Sequence, residues 1–99
     1  MVQAIENLSG ISGKILSRSP HPRLDGYDLV TLSLERAEEV PDRAHLLGSE
    51  VGRSIELAVR RALLGSSGAG ATLRCRAKRT PDGAMCEPHP DPGDFQVTP

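Results

Sequence analysis

Three cations at alternate positions are the residues with the clearest capacity for chemistry. Arg74, Arg76 and Lys78 alternate with small or apolar residues in the segment ATLRCRAKR (71–79). In an extended strand such residues share one face and lie about 7 Å apart, close to the spacing of successive phosphates on one nucleic-acid strand. The pattern predicts a basic strand face, which either contacts a polyanion or is simply solvated.

The charge of the chain is unevenly distributed, although its sum is close to neutral. Twelve Lys and Arg against thirteen Asp and Glu give a net charge of −1, which removes bulk charge as an argument for a nucleic-acid or membrane partner. Seven bases, among them Arg53 and Arg60, fall within residues 53–79, whereas residues 80–99 carry four acids and no Lys or Arg. We expect Arg53 and Arg60 to extend the basic surface, and the acidic tail to neutralise part of it if the face is only solvated.

The scarcity of aromatic residues limits what such a surface can bind. Tyr27 and Phe95 are the only aromatic residues, and there is no Trp. Sequence-tolerant binding of single strands relies on aromatic platforms, each stacked base contributing about 1–3 kcal/mol. Two aromatic side chains cannot supply several platforms, so nucleic-acid binding here would depend on charge.

Cys75, Cys86 and His89 combine the residue types of a metal site. A three-residue hairpin loop at 81–83 places Cys86 opposite Lys78. Cys75 then lies about 10 Å away along the strand and on the opposite face of the sheet. A disulfide needs Cα atoms about 4.4–6.8 Å apart, and tetrahedral zinc needs a fourth ligand. We therefore predict no metal site, no disulfide and no cofactor.

No arrangement typical of catalysis is recognisable. The histidines occupy three separate contexts: His21, His45 and His89. None stands at a recognised catalytic spacing from a serine or cysteine nucleophile. The run GSSGAG (65–70) lacks the Lys-Ser/Thr ending of a phosphate-binding P-loop and contains no GxGxxG. We predict a flexible loop there, no catalytic residues and no enzymatic activity.

The clearest structural element is the segment YDLVTLSLE (27–35). Val30, Leu32 and Leu34 alternate with polar residues, which predicts a strand with one face in a core. Leu29 is out of phase with that set. We therefore expect Leu29 to face outward, where it is free to contact a partner.

Residues 42–64 carry two competing patterns. Apolar residues recur every four positions, which predicts an α-helix with Gly65 at its C-cap. Gly48 and Gly52, however, each cost a helix about 1 kcal/mol relative to Ala, and apolar and polar residues also alternate over 54–60. We favour a loop followed by a strand, and keep a helix over 42–64 as the alternative.

The succession of elements resembles the small five-stranded barrel of the oligonucleotide/oligosaccharide-binding type, the OB fold. The resemblance rests on a long hairpin (SGKILSRSPHPRLDGYDLVTLSLE), a glycine-led strand (VGRSIELAV), and a second hairpin with a short final strand (GATLRCRAKRTPDGAMCE). It implies a mainly β protein, a small antiparallel β-barrel with room for one short helix. The alternative is an α+β fold with the helix over 42–64. The OB class includes nucleic-acid binders, protein-binding adaptors and structural subunits.

The length of 99 residues fits one domain. We expect a single β-rich domain over 1–99, with 65–70 as a flexible loop and 87–99 as a Pro-rich acidic tail. The chain has neither a long apolar segment nor the basic and apolar start of a signal peptide. The expected location is the cytoplasm.

Our leading hypothesis is a non-enzymatic binding or assembly module that contacts a protein partner or copies of itself. Leu16 and Leu29 both fall outside the inward-facing sets, and a chain this small covers its apolar surface poorly on its own. The alternative is an oligonucleotide-binding domain that presents Arg74, Arg76 and Lys78 to single-stranded nucleic acid.

Overall fold

Most of the chain is extended. The computed structural model describes residues 6–99. Its six strands are β1 (Ser9–Pro20), β2 (Tyr27–Glu39), β3 (Ser54–Arg60), β4 (Thr72–Thr80), β5 (Gly83–Cys86) and β6 (Phe95–Thr98). One turn of α-helix, α1 (Arg61–Leu64), and two 3-10 turns (Gly48–Glu50 and Pro92–Asp94) complete the elements.

The strands form a closed barrel. Their order is β1-β2-β3-β5-β4-β6, and an additional pairing of β1 with β4 closes the first five into a ring. The pairing of β3 with β5 is parallel and the others are antiparallel. The predicted five-stranded, OB-like barrel is confirmed, with the difference that it is mixed rather than antiparallel and carries β6 as a sixth strand.

The core follows the alternation of apolar residues along the strands. On β2, Val30, Leu32 and Leu34 are buried, and the neighbouring strands contribute residues of the same inward phase. The largest of these neighbours are Ile11, Ile15, Leu57, Val59 and Leu73. Strand periodicity in the sequence therefore identified the buried face correctly.

The alternative prediction of a helix over 42–64 is wrong. Residues 54–60 form β3, and Val51 is 44% exposed, which interrupts the apolar stripe a helix would need. Side chains of a strand alternate between its two faces, so residues four positions apart lie on the same face. Ile55 and Val59 therefore both face inward. Helical structure is confined to α1, whose Leu64 is buried. Within residues 6–99 no helix is long and apolar enough to cross a membrane.

The β4–β5 hairpin differs by one residue from the predicted register. Thr80 pairs with Gly83 across a two-residue loop, so Cys86 lies opposite Ala77 rather than Lys78. Gly83 has a φ of +146°, and a Cβ there would clash with the carbonyl oxygen of Glu56. Glycine is therefore required in the strand itself and not in the loop. The shift brings both cysteines to the inward face, which corrects the prediction that Cys75 and Cys86 face opposite sides.

Strands β5 and β6 pair with the same edge of β4, one after the other along its length. Strand β5 ends opposite Ala77, and β6 resumes opposite Cys75 after a segment that leaves the sheet, residues 87–94. We call residues 87–94 the acidic segment because it carries Glu87, Asp91 and Asp94. Because the chain returns to the sheet as β6, the acidic segment stays beside the outer face of β4.

Candidate functional site: a basic strand face and a loop cleft

The basic strand face lies on the outside of β4, and two of its three members contact the acidic segment. The Arg74 guanidinium donates a hydrogen bond to the carbonyl oxygen of Gly93 at 3.1 Å. The Arg76 guanidinium lies 3.5 Å from the carboxylate of Asp94. The side chain of Arg76 is 37% exposed and that of Asp94 25% exposed, so this pair is partly withdrawn from solvent. The face is therefore partly neutralised by the chain itself.

Arg60, at the end of β3, holds the other end of the same segment. Its guanidinium donates to the carbonyl oxygen of Pro88 at 2.7 Å and lies 3.1 Å from Nδ1 of His89. Three of the five cations proposed as binding residues, Arg60, Arg74 and Arg76, thus contact residues 87–94. A polyanion on this face would have to compete with those contacts.

The remaining two proposed cations are not part of the same cluster. Lys78 is exposed beside Met85 and makes no ion pair within residues 6–99. Arg53 is exposed in a bend just before β3, whereas Arg60 ends that strand, so the two residues lie at its opposite ends. The structure therefore does not gather the predicted cations into one continuous patch.

The groove beside the basic face has balanced charges. It has a volume of about 220 Å³ and is floored by Gly10 and Ser12 of β1. Its charged lining residues are Arg36, Arg74, Arg76, Glu38, Glu39 and Asp94. Equal numbers of acids and bases give no net attraction for a polyanion.

A larger cleft, about 490 Å³, lies on the outer side of β2, β3 and β5. Its walls are the loop between β1 and β2 (residues 21–26) and the β4–β5 turn (residues 80–83). Leu29 pairs with Ala58, and Ala58 pairs with Met85, so the strand register aligns these three residues in one row. We call this feature the loop cleft. Leu29, which is out of phase with the inward-facing residues of β2, therefore lies outside the core on the apolar floor of this cleft.

The shape and charge of the loop cleft follow from two residues of β3. Ala58 stands between Leu29 and Met85 in this row and is only 5% exposed, so the half-buried side chains of Leu29 and Met85 provide most of the apolar floor. Glu56 lies one step along the same face, is exposed, and makes no ion pair within residues 6–99. The cleft therefore offers a half-buried apolar floor with an unpaired carboxylate on the same face of β3.

The two walls of the loop cleft are joined by an ion pair. The guanidinium of Arg23 lies 2.7 Å from the carboxylate of Asp82, and both side chains are largely exposed. Nδ1 of His21 accepts hydrogen bonds from the backbone N–H groups of Arg23 and Leu24, each at 3.1 Å. These bonds hold the longer loop in its folded form beside the cleft.

Sequence reasoning missed a buried carboxylate below this loop. Asp28 is 5% exposed and accepts hydrogen bonds from Arg18 at 2.7 Å and Arg61 at 2.9 Å. Burial alone raises the pKa of the Asp28 carboxyl, but the hydrogen bonds and charges of the two arginines outweigh it and hold the pKa below its ordinary value. Arg18 also donates to the carbonyl oxygens of Gly65 and Ser67. The cluster therefore ties β1, β2, α1 and the glycine-rich loop together.

A serine–histidine pair was also missed, and its geometry is structural. Oγ of Ser9 lies 2.8 Å from Nδ1 of His45, within the range of a nucleophile and its base. Ser9 is fully buried, however, so no substrate carbonyl can reach its oxygen. Within residues 6–99 no carboxylate is hydrogen-bonded to the other nitrogen of His45. The bond fixes the loop after β2 against β1.

The two thiols are inward-facing and unsuited to nucleophilic or metal chemistry. Both are free and buried. A hydrogen bond with Cys86, together with burial, raises the pKa of the Cys75 thiol, so the thiolate that would attack or bind a metal is disfavoured. No cluster of three or more potential metal ligands occurs in residues 6–99.

No protein-family model matches the chain, and no match is found among curated proteins or solved structures. Because folds of this class serve nucleic-acid binders, adaptors and subunits alike, the architecture does not select among these functions. The choice depends on the two surfaces just described.

Proposed function

We propose that this chain is a non-enzymatic protein-binding or assembly module whose contact surface is the loop cleft. The observation that carries the proposal is the row of Leu29, Ala58 and Met85 on the outside of the barrel, where strand pairing places apolar side chains away from the core. An apolar floor between two polar walls is typical of a surface that receives an apolar side chain from a partner.

The chemistry of the cleft defines the partner it suits. The half-buried side chains of Leu29 and Met85 suit contact with an aliphatic side chain, and burying one contributes about 1.5–3 kcal/mol. The unpaired carboxylate of Glu56 favours a Lys or Arg two residues away on an extended partner segment. The cleft therefore suits a protein segment with an apolar and a basic residue at positions i and i+2.

The oligonucleotide-binding alternative has weaker support. Arg60, Arg74 and Arg76 are engaged with the acidic segment, and because Arg23 is paired with Asp82, the unpaired charge that lines the loop cleft is the acid Glu56. Phosphate recognition would show a steep loss of affinity between about 50 and 200 mM salt. Apolar contact in the cleft would change little over that range.

Panning a random nonapeptide library on the immobilised protein at about 150 mM salt tests the proposal. We expect enrichment of peptides with an aliphatic and a basic residue two positions apart. Leu29→Asp removes an apolar group from the floor and adds a charge that must be desolvated, so selected peptides should bind it at least 10–100-fold more weakly, since 1.4 kcal/mol is tenfold in Kd.

Gln96→Asp is the matched control, because it adds the same charge at an exposed position on β6. Selected peptides should bind this variant as they bind the unmodified chain. Equal enrichment on the unmodified chain and on Leu29→Asp would contradict the proposal.

A further inference from the structure

A serine stands between two arginines on the outer face of the barrel, away from the loop cleft. Ser12 of β1 pairs directly with Arg36 of β2 on one side and with Arg74 of β4 on the other. Directly opposite residues of neighbouring strands have their Cβ atoms about 5 Å apart on one face of the sheet. We call these three residues the arginine row. All three line the groove of about 220 Å³ beside the basic face, which shares no lining residue with the loop cleft.

A β-bulge puts Arg36 on the outer face. Leu34 is buried, so a regular strand would turn Arg36 inward as well. Instead the pairing of β2 with β1 shifts by one residue between Leu34 and Arg36, so that Ala37 packs against the core and Arg36 turns outward. Gly13 of β1 lies at the shift, where a Cβ would clash with the backbone of β2. Bulges re-aim side chains next to functional sites, and this one brings a second arginine beside Ser12.

The cations around Ser12 have charge available for a ligand. Arg36 and Arg74 are exposed, and neither makes an ion pair within residues 6–99. The hydrogen bond from Arg74 to Gly93 uses one of its five N–H donors. Lys14, two residues after Ser12 on the same face of β1, is also exposed and has no ion pair in that part of the chain. Its flexible stem spans the intervening distance of about 7 Å.

These donors match the chemistry of a phosphate group. A guanidinium presents a planar fork of N–H donors that fits two phosphate oxygens, and an ammonium acts as a point charge beside it. The hydroxyl of Ser12 adds a donor at the floor of the groove. Two guanidinium groups, one ammonium and one hydroxyl thus surround a single position.

The basic region ends one step away on both sides. Beyond Lys14, the next exposed residue of β1 is the apolar Leu16. In the other direction the next row holds Glu38 and Arg76, and Arg76 is already paired with Asp94. That row carries a net negative charge and repels a further phosphate. The region therefore fits one compact phosphate group and not the continuous phosphates of a nucleic-acid strand.

We propose that Lys14, Arg36 and Arg74 form a binding site for a single phosphate monoester, with Ser12 at its floor. The groove of about 220 Å³ is smaller than the roughly 300–1,000 Å³ of ordinary small-molecule pockets, so it receives the phosphate and few further atoms. A phosphorylated side chain of a protein and a small phosphorylated metabolite both supply that group. The site is independent of the proposed function of the loop cleft.

Titration of the ¹⁵N-labelled full chain with a phosphoserine peptide tests the proposal. The peptide has two glycines on each side of the phosphoserine and blocked ends, and at about pH 7.5 its phosphate carries nearly two negative charges. We expect saturable shifts of the amides of Ser12, Arg36 and Arg74 at about 50 mM salt, and none with the unphosphorylated peptide. Glycerol phosphate, titrated in parallel, separates the two sources. Equal affinity assigns recognition to the phosphate monoester alone, whereas tighter binding of the peptide identifies a phosphorylated protein.

Matched variants locate the site. Arg36→Gln and Arg74→Gln each remove one guanidinium fork and should weaken binding about fivefold or more, and Lys14→Gln should weaken it by a smaller factor. Lys78→Gln is the control, because it removes the same charge from the outer face of β4 at an exposed position outside the groove, and it should leave the affinity nearly unchanged. Thermal melts of each variant establish that lost binding is not lost folding.

Four results would overturn the phosphate site. The first two are an absence of shifts in the arginine row with both phosphorylated probes, and equal shifts with the unphosphorylated peptide. The third is an equal loss of affinity in Lys78→Gln and Arg36→Gln. The fourth is a mixed-sequence oligonucleotide that binds through the same residues with a salt slope of several phosphate contacts, at about 0.7 for each contact, because it would identify a nucleic-acid track instead.

Discussion

Replacing Asp28 with Asn tests the electrostatic cluster that holds the loops of this barrel in place. The substitution keeps the size of the side chain and removes its charge. Arg18, 17% exposed, would lose its partner, whereas Arg61, 54% exposed, would regain water. Breaking a buried ion pair costs about 3–5 kcal/mol, and we expect about 3 kcal/mol because Arg18 keeps its two carbonyl acceptors.

This loss is large for a domain of 99 residues. A change of 1 kcal/mol shifts Tm by about 4–8 °C in domains of 60–100 residues, so Asp28→Asn should melt about 12–24 °C lower at pH 7. Thermal unfolding followed by circular dichroism measures the shift. Asp82→Asn is the control, because its ion pair with Arg23 is exposed and such pairs contribute little.

The dependence on pH gives a second check. Since the folded-state pKa of Asp28 is lowered, its contribution is complete above the ordinary Asp value of about 4 and is lost as pH falls through the lower folded value. The Tm values of the unmodified chain and of Asp28→Asn should therefore converge below about pH 4. A difference under about 2 °C at pH 7, or one that persists unchanged at pH 2, would refute the reasoning.

Three further results are expected. Gly83→Ala should cost about 1–3 kcal/mol through backbone strain and a clash with the carbonyl of Glu56, whereas Gly93→Ala, which faces open space, should leave the Tm nearly unchanged; an equal Tm for both would contradict the close approach of Gly83 to Glu56. Asp94→Asn should free Arg76 from its ion pair for one added phosphate contact, so any binding of a mixed-sequence single strand should be tighter than for the unmodified chain, with a salt slope steeper by about 0.7; fluorescence anisotropy at several salt concentrations measures this, and weaker binding or a shallower slope would contradict it. The two buried thiols should remain unreactive toward a thiol reagent in native buffer and react once urea unfolds the chain, whereas rapid reaction in the native state would contradict their burial.

Local alternation was sufficient to predict the main strands, because strand formation is largely specified by neighbouring residues, whereas the parallel pairing of β3 with β5 and the register of the β4–β5 hairpin depend on the packed chain. The segments 27–35 and 71–79 carry a period of two, and both are strands with the expected inward faces. The ambiguity over 42–64 had a physical origin, since a repeat of four satisfies a helix and a strand alike. Exposure of Val51 decided between them, and exposure is a property of the packed chain.

The candidate surfaces and the buried ion-pair cluster were less predictable because they depend on contacts between residues far apart in sequence. The cluster of Asp28 with Arg18 and Arg61 joins three elements, and no local pattern marks it. The hydrogen bond from Arg60 to the carbonyl oxygen of Pro88 depends on the path that residues 87–94 take outside the sheet. By contrast, the off-phase position of Leu29 was visible in the sequence, and the alignment with Ala58 and Met85 required only the strand register.

The claim that the loop cleft is the contact surface is tested most directly by adding an unlabelled peptide selected in the panning experiment to the ¹⁵N-labelled chain at about 150 mM salt. Amide chemical shifts should change around Leu29, Ala58 and Met85, and Leu29→Asp should abolish the change. Unperturbed cleft amides, or shifts confined to Arg74 and Arg76 on β4, would contradict it.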